Sequence, residues 1–282
     1  MSNNQLGYYL AGLLEGDGHI SLPAIGHTTL TRILNPRVIF TSHINNLGLY
    51  AYIQSRLGGI GRFQVVSPNA IRYIVGDIEG IKRIISLIHN KIRTPKNKTF
   101  NKLIQFLNIK YSLNIEESLL DHSDLKSNAW FTGFTEADGH FGVKIVEAKP
   151  KSEIRKRSIS ASVQVLFKIE QRSYDRPTSS SMEPIMREIA NFLSCKLLII
   201  KNNQKLLKLK TIDTLSAGVY SLDKITHLIN YFYEFPLLGT KSKYFKDWVA
   251  IYKRIKSKKH LTESGRSQIK SISSNMNRGR LC

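Results

Sequence analysis

The chain has 282 residues, 41% of them apolar, enough for one large or two medium globular domains and too many for a disordered polymer. Lys and Arg number 42 against 21 Asp and Glu, a net charge of +21, and self-repulsion on that scale points to a polyanionic partner, nucleic acid or an anionic lipid surface. No apolar run approaches the roughly 20 residues of a membrane span, MSNNQLGYYL follows neither a signal-peptide nor a transit-peptide pattern, and Cys195 and Cys282 lack metal-ligand spacing, which excludes a zinc module or a disulfide framework.

From the N-terminus, residues 9–17 place Leu10, Leu13 and Leu14 on one helical face and Gly12 and Gly16 four apart on another. Each glycine costs such a helix about 1 kcal/mol. Small residues at this spacing let two helix backbones approach, and tight packing would offset the cost. Gly18 suits a left-handed C-terminal stop. Alternating apolar runs at 19–26 and 33–41 predict two strands. A helix over 45–57, strands at 61–66 and 70–76, a helix over 78–90 and another opened by Lys98-Thr99-Phe100 complete the set. The stretch SLNIEESLLDHSDLKSN (112–128) is acidic in a basic chain. Its charge would keep it off a polyanion, and a plain solvated connector explains it equally well.

The order then begins again. AWFTGFTEADGHFGV (129–143) repeats YYLAGLLEGDGHISL (8–22) at an offset of 121 residues. Gly133 and Ala137 take the places of Gly12 and Gly16, and Gly139 that of Gly18. Strand-like runs at 140–148 and 158–170, a helix over 182–193, strands at 196–201 and 205–213, a helix over 223–234 and the stretch Lys243-Tyr244-Phe245 follow. Two halves are expected, 1–111 and 129–256, each close to αββαββα, with 112–128 as linker and a basic tail, 257–282, holding one more helix over 266–276 after Thr262.

The repeated acids are the chemical signal. Asp17 and Asp138 each sit just before the glycine stop, beside the negative end of a helix dipole, where a carboxylate is unfavourable. Two at matching positions suggest a compensating cation. If the helices pack side by side, both acids and the free terminal carbonyls converge on one hard-oxygen site suited to Mg²⁺, a metal able to activate water and stabilise a leaving oxygen in phosphodiester hydrolysis. A simple E-x-D-G turn is the plainer account of one copy alone. An EF-hand does not fit: from Glu15 the twelfth position is Gly26, and from Glu136 Phe141 stands where the loop needs glycine. Glu15 and Glu136 point elsewhere on their helices and are expected to be structural. His19 and His140 open strands, which favours a structural over a ligand role.

LAGLLEGDG (10–18) and FTGFTEADG (131–139) resemble the paired signature motifs of single-chain LAGLIDADG homing endonucleases of the organelle group I intron type. The second copy departs at Phe131 and Thr132, which stand at the leading Leu-Ala. The resemblance spans nearly the whole chain, and HLTESGRSQIKSISSNMNRGR looks like the tails of intron-encoded members. It implies an α+β fold whose pseudo-symmetric halves pack through the motif helices, each with a curved antiparallel DNA-binding sheet. It implies a monomeric, Mg²⁺-dependent, sequence-specific DNA endonuclease (Mn²⁺ or Ca²⁺ can occupy the same site) that promotes intron mobility. Such enzymes cut across the minor groove and leave 3′-hydroxyl and 5′-phosphate ends. An RNA maturase or a non-cleaving binder of the same fold, with intron RNA as partner, is the alternative. On this resemblance Asp17 and Asp138 bind the metals with the carbonyls of Gly16 and Ala137. A lysine opening the last helix of each half is matched to Lys98 and Lys241, and a strand-end glutamine to Gln171. Ser42 stands at the corresponding place in the first half. The lack of a targeting segment and the richness in Ile, Lys and Asn fit translation inside a mitochondrion or another organelle.

Strand alternation gives the outward side chains. Asn35, Arg37, Arg62, Gln64 and Arg72 in the first half, and Lys144, Ser162, Gln164, Lys168, Lys208 and Lys210 in the second, would meet base edges and phosphates of double-stranded DNA. A hydrated sheet face is the bland reading; recurrence of outward bases in both halves favours DNA. The hairpin tip KPKSEIRKR (149–157) fits a phosphate clamp, since clustered charge supplies affinity without sequence information.

Overall fold

The computed structural model describes residues 1–23, 35–154, 156–201 and 213–276. One plan occurs twice along the chain. First come α1 (Asn3–Asp17), β1 (Gly18–Ser21), β2 (Arg37–His43), α2 (Leu47–Arg56), β3 (Arg62–Ser67), β4 (Ala70–Val75), α3 (Ile78–Ile88) and α4 (Lys96–Tyr111). The second copy comprises α5 (Trp130–Asp138), β5 (Gly139–Val146), β6 (Ser162–Arg172), a short hairpin β7 (Tyr174–Asp175) and β8 (Ser180–Ser181), α6 (Glu183–Phe192), β9 (Leu197–Ile200), β10 (Thr214–Val219), α7 (Leu222–Glu234) and α8 (Lys241–Lys256). A last helix, α9 (Glu263–Ser274), is capped by the Thr262 hydroxyl, which accepts from Gly265 N at 3.0 Å. The fold is α+β, with antiparallel four-stranded sheets ordered β1-β2-β4-β3 and β5-β6-β10-β9, the same path in each half.

Each half closes on two helices, giving αββαββαα. The strand expected at 205–213 lies outside the described residues save Asp213; the strand that pairs with β6 is Thr214–Val219. Its inward residues Leu215, Ala217 and Val219 do alternate, but serine, alanine and glycine between and among them weaken the pattern.

The pairing registers align the halves residue by residue. Gly18 lies opposite Phe40, and Gly139 opposite Ile169, so Ser42 and Gln171, each two residues further along, are counterparts. The inner faces bury Val38, Phe40 and Tyr73 in one sheet and Val165, Phe167 and Ile169 in the other, against helices.

The motif helices α1 and α5 pack backbone against backbone. A β-carbon on Gly12 would lie 2.1 Å from the Trp130 carbonyl oxygen, and one on Gly133 would lie 1.9 Å from that of Tyr9. Tyr9 and Trp130 are themselves the repeat partners 121 residues apart, so the contact is reciprocal. No side chain larger than hydrogen fits at either glycine without moving the partner helix.

Residues 112–128 do not hang free. Asn101 accepts from Ser118 N at 2.9 Å and donates to Ser118 O at 3.0 Å. Asn108 does the same to Ile115, at 3.0 and 2.8 Å. Each amide thus pairs with one extended residue as a neighbouring strand would. The acid of this segment that matters most is Asp121, whose carboxylate meets buried Arg93 at 2.5 Å. Arg93 also lies 3.6 Å from Glu188 of α6 and stacks over the Trp130 ring at 5.5 Å, tying the two halves together beneath the seam.

Candidate active site

Asp17 and Asp138 are the last residues of α1 and α5. Because those helices touch, the two acids converge. A β-carbon on Gly16 would sit 2.2 Å from the Ala137 β-carbon and 2.8 Å from Asp138 Oδ2. The stop after each acid differs from expectation. Gly18 and Gly139 are extended (φ −85° and −72°), not left-handed. Glycine is required for space: the chain folds back over the last turn, where a β-carbon would lie 2.6 Å from Leu14 O or 2.9 Å from Thr135 O.

Burial at the seam raises the Asp17 carboxyl to about 6, with repulsion from Asp138 adding to it and Lys241 and Lys96 opposing it. Burial also raises Asp138, while hydrogen bonding from the Gln171 amide and the charges of Lys241 and Lys96 pull it back. Two crowded carboxyl groups resisting ionisation are what an added cation would relieve.

A lysine caps each motif helix. Lys241 Nζ donates to the Thr135 and Ala137 carbonyls at 3.0 and 2.6 Å. Lys96 Nζ donates to Leu14, Glu15 and Gly18 at 2.7, 2.9 and 2.7 Å. These satisfy carbonyls that the helix ends leave open and place positive charge beside the acids. The first-half residue is therefore Lys96 and not Lys98, a correction to the sequence expectation. α4 opens two residues earlier than KTF suggests, and Lys96 is its first residue as Lys241 is of α8. Lys98 is exposed and bonds the Ser180 hydroxyl at 2.9 Å.

Glu15 and Glu136 form a second reciprocal set, unnoticed as such in the sequence. Glu15 is buried, accepts from Arg93 N at 2.8 Å and Thr94 N at 2.5 Å, and takes the Trp130 indole N–H from the opposite helix. Glu136 accepts from Leu238 N at 3.0 Å and from the Tyr9 hydroxyl of the opposite helix at 3.1 Å. Each glutamate thus fastens the segment that delivers a capping lysine while gripping an aromatic from the other half. Burial raises both carboxyls, and their hydrogen-bond donors oppose the rise.

The donor set fits a hard divalent cation. Two carboxylates meet at helix ends rich in carbonyls, with Gly16 against Asp138. The Ala137 carbonyl, assigned to the metal by resemblance, already accepts from Lys241. Among the described residues no cluster of three or more His, Cys, Asp or Glu could hold a metal, so an ion here would complete its shell with water or phosphate oxygens. A cleft of about 430 Å³ opens beside the seam, bounded by Asp138, Lys96, Gln171, Asp175 and Arg176. His140 lies opposite Lys168 on the outer sheet face, where partial burial together with the Lys168 charge lowers its pKa.

The outward side chains fall as strand alternation requires. Arg37, Arg62, Gln64, Lys144, Ser162 and Gln164 are exposed; Arg72 and Lys168 are half-buried. They form cross-strand rows: Gln64 opposite Arg72, Lys144 opposite Gln164, Lys168 opposite His140. Asn35 accepts from the Tyr111 hydroxyl at 2.8 Å, and Lys168 pairs with Glu170 at 3.1 Å. Lys208 and Lys210 lie outside the described residues. Leu198 occupies in the second sheet the register position of Gln64, opposite Ser216 and 57% exposed. An unbroken LLII run hid that exposure.

A model of the LAGLIDADG endonuclease family matches residues 10–107 and 131–252. An uncharacterized cox1 intron-2 protein of 37.2 kDa from Schizosaccharomyces pombe is 32% identical over 273 residues, 95% of this chain and 72% of its own length. The intron-encoded DNA endonuclease aI3 of Saccharomyces cerevisiae is 27% identical over 88% of this chain, which spans only 63% of that relative. The crystal structure of the I-SmaMI LAGLIDADG homing endonuclease bound to cleaved DNA superposes with a TM-score of 0.72 over 98% of both chains at 19% identity, a likeness of fold.

Proposed function

The chain belongs to the LAGLIDADG endonuclease family, and on that footing we propose that it is a sequence-specific double-strand DNA homing endonuclease that acts as a monomer and hydrolyses phosphodiesters with a divalent metal. The observation that carries this reading is the convergence of Asp17 and Asp138 at the seam, each beside a helix end capped by a lysine.

Mg²⁺, or Mn²⁺ or Ca²⁺ in its place, would be held by Asp17 and Asp138 with Gly16, and would supply a polarised phosphate oxygen and a more acidic water. The protein's own residues do the rest. Lys96 and Lys241 set positive charge where negative charge develops on the phosphate. Gln171, by hydrogen bonding, favours the charged form of Asp138 against the burial that disfavours it. Glu15 and Glu136 fix the lysine-bearing segments to the motif helices. The two sheets present Arg37, Arg62, Gln64 and Arg72 on one side and Lys144, Ser162, Gln164 and Lys168 on the other, toward two half-sites of a long target. The product ends would be 3′-hydroxyl and 5′-phosphate. The cox1 intron setting of a relative supports adding intron mobility and a mitochondrial origin to this reading.

Incubation with a library of DNA sites and Mg²⁺, then with EDTA, tests the reading. One site, or a small set, should be cut on both strands, and chelation should stop it. No cutting of any site, with tight binding to structured intron RNA and a gain in splicing, would replace the nuclease with the maturase reading.

A further inference from the structure

The two sheets differ along one cross-strand row of their outer faces. Register places Thr41, Arg72 and Gln64 side by side in the first sheet. Counted from Phe40 and Ile169, which lie opposite the motif glycines, the corresponding row of the second sheet is Glu170, Ser216 and Leu198. Past that row the edge strands run alike: Val65 and Val66 in one and Ile199 and Ile200 in the other are all exposed. The change of chemistry is therefore local.

The first row offers an amide, a guanidinium and a hydroxyl, groups that can bond the N7 and exocyclic atoms of a purine. The polar groups of the second row are turned on one another. One Glu170 carboxylate oxygen accepts from Lys168 Nζ at 3.1 Å, the other from the Ser216 hydroxyl at 3.3 Å, and Ser216 is itself buried. Leu198 alone stands clear of the sheet. A lone exposed leucine is ordinary on a protein surface. This one takes the place where the matching strand carries an amide, on the face that bears Lys144, Gln164 and Lys168, in a chain of net charge +21. That charge draws a polyanion to the face, and the apolar group a DNA duplex displays among its base edges is the C5-methyl of thymine in the major groove.

We propose that Leu198 is a specificity-determining residue that takes the C5-methyl group of one pyrimidine, thymine in ordinary DNA, in the half-site under the second sheet. The inference rests on the endonuclease reading above for its ligand, a DNA duplex. It makes the half-sites chemically unequal at matching steps, with hydrogen-bonded reading at Gln64 and Arg72 and methyl reading at Leu198.

The test uses the full chain and a duplex target selected from a random library by binding. Every single-base variant of that target is compared by gel shift for the wild type and Leu198→Gln. One position should change its preference, from thymine in the wild type to adenine with the amide, which matches adenine N6 and N7. At that position the wild type should bind thymine about fourfold more tightly than uracil, the factor for burying one alkyl carbon, and 5-methylcytosine more tightly than cytosine by a similar factor. Leu198→Ala should bring both ratios close to one, with the melting temperature near wild type. Unchanged ratios in Leu198→Ala, or no position whose preference follows Leu198, would overturn the inference. Cleavage is scored separately. Selective binding without cutting counts against the nuclease reading and leaves the methyl ratios to decide this one, whereas a chain that selects no duplex overturns both.

Discussion

On one side of the seam Asp138 faces Gln171, with Lys96 and Asp175 lining the same cleft; on the other Asp17 has Lys241 as its leading positive neighbour, and Ser42 stands at the register position of Gln171. The two acids, the two capping lysines and the two buried glutamates match one for one across the pseudo-dyad. So do the ties behind them, since each glutamate holds two consecutive residues or their near neighbour and one aromatic from the opposite helix. The neutral hydrogen-bonding groups do not match. Charges must stand at set places because Coulomb forces depend on distance and sign, whereas a neutral donor is defined only by where its last atom arrives.

The comparison breaks first at the acids. Asp17→Asn and Asp138→Asn should each lower cleavage by about 10³-fold or more, with DNA affinity near wild type by gel shift. If either variant cuts both strands normally, the pair does not act as a pair. The seam is next. Gly133→Val should cost about 3 kcal/mol or more through overpacking, read by thermal denaturation, and Gly12→Val should cost as much because the contact is reciprocal.

Lysine replacements sharpen the match between halves. Lys96→Met and Lys241→Met should each slow single-turnover cleavage by about 10²-fold, while Lys98→Ala should stay near wild type; equal losses for Lys96 and Lys98 would undo the register correction. The pH response is smaller. Asp17 is raised to about 6 from an ordinary 3.8, so between those values the folded chain holds a proton that the unfolded chain has released. Its contribution to stability is full below the lower value and lost as pH rises through the upper one. Metal-free melting temperature should therefore fall from pH 5 to pH 7, Asp17→Asn should flatten that fall, and Mg²⁺ should stabilise more at pH 7.5 than at pH 5. The smallest effect belongs to the linker: Asn101→Ala should cost about 1–2 kcal/mol by removing two bonds to the Ser118 backbone.

Much of this was legible in the sequence because it repeats. Two copies of glycine spacing and acid expose the seam, and alternation along β6 gives its outward face without a structure. Three features were not legible. Lys96 lies two residues from Lys98, and only the helix start distinguishes them. Leu198 looks like one more core residue in an unbroken apolar run. The amide clamps of Asn101 and Asn108 depend on backbone that comes near only after the chain has doubled back. Side-chain type and spacing report which face is buried; they do not report which polar atoms meet across it.

The hydrogen atoms of Gly12 and Gly133 also act as a gauge. Ordinary helix pairs stand about 8–10 Å apart, and main-chain contact brings these closer, so the two blades they carry are set narrowly. That tool holds the two acids at its tips at one short, fixed span. One methyl group at either position would widen the tool before it touched any catalytic atom.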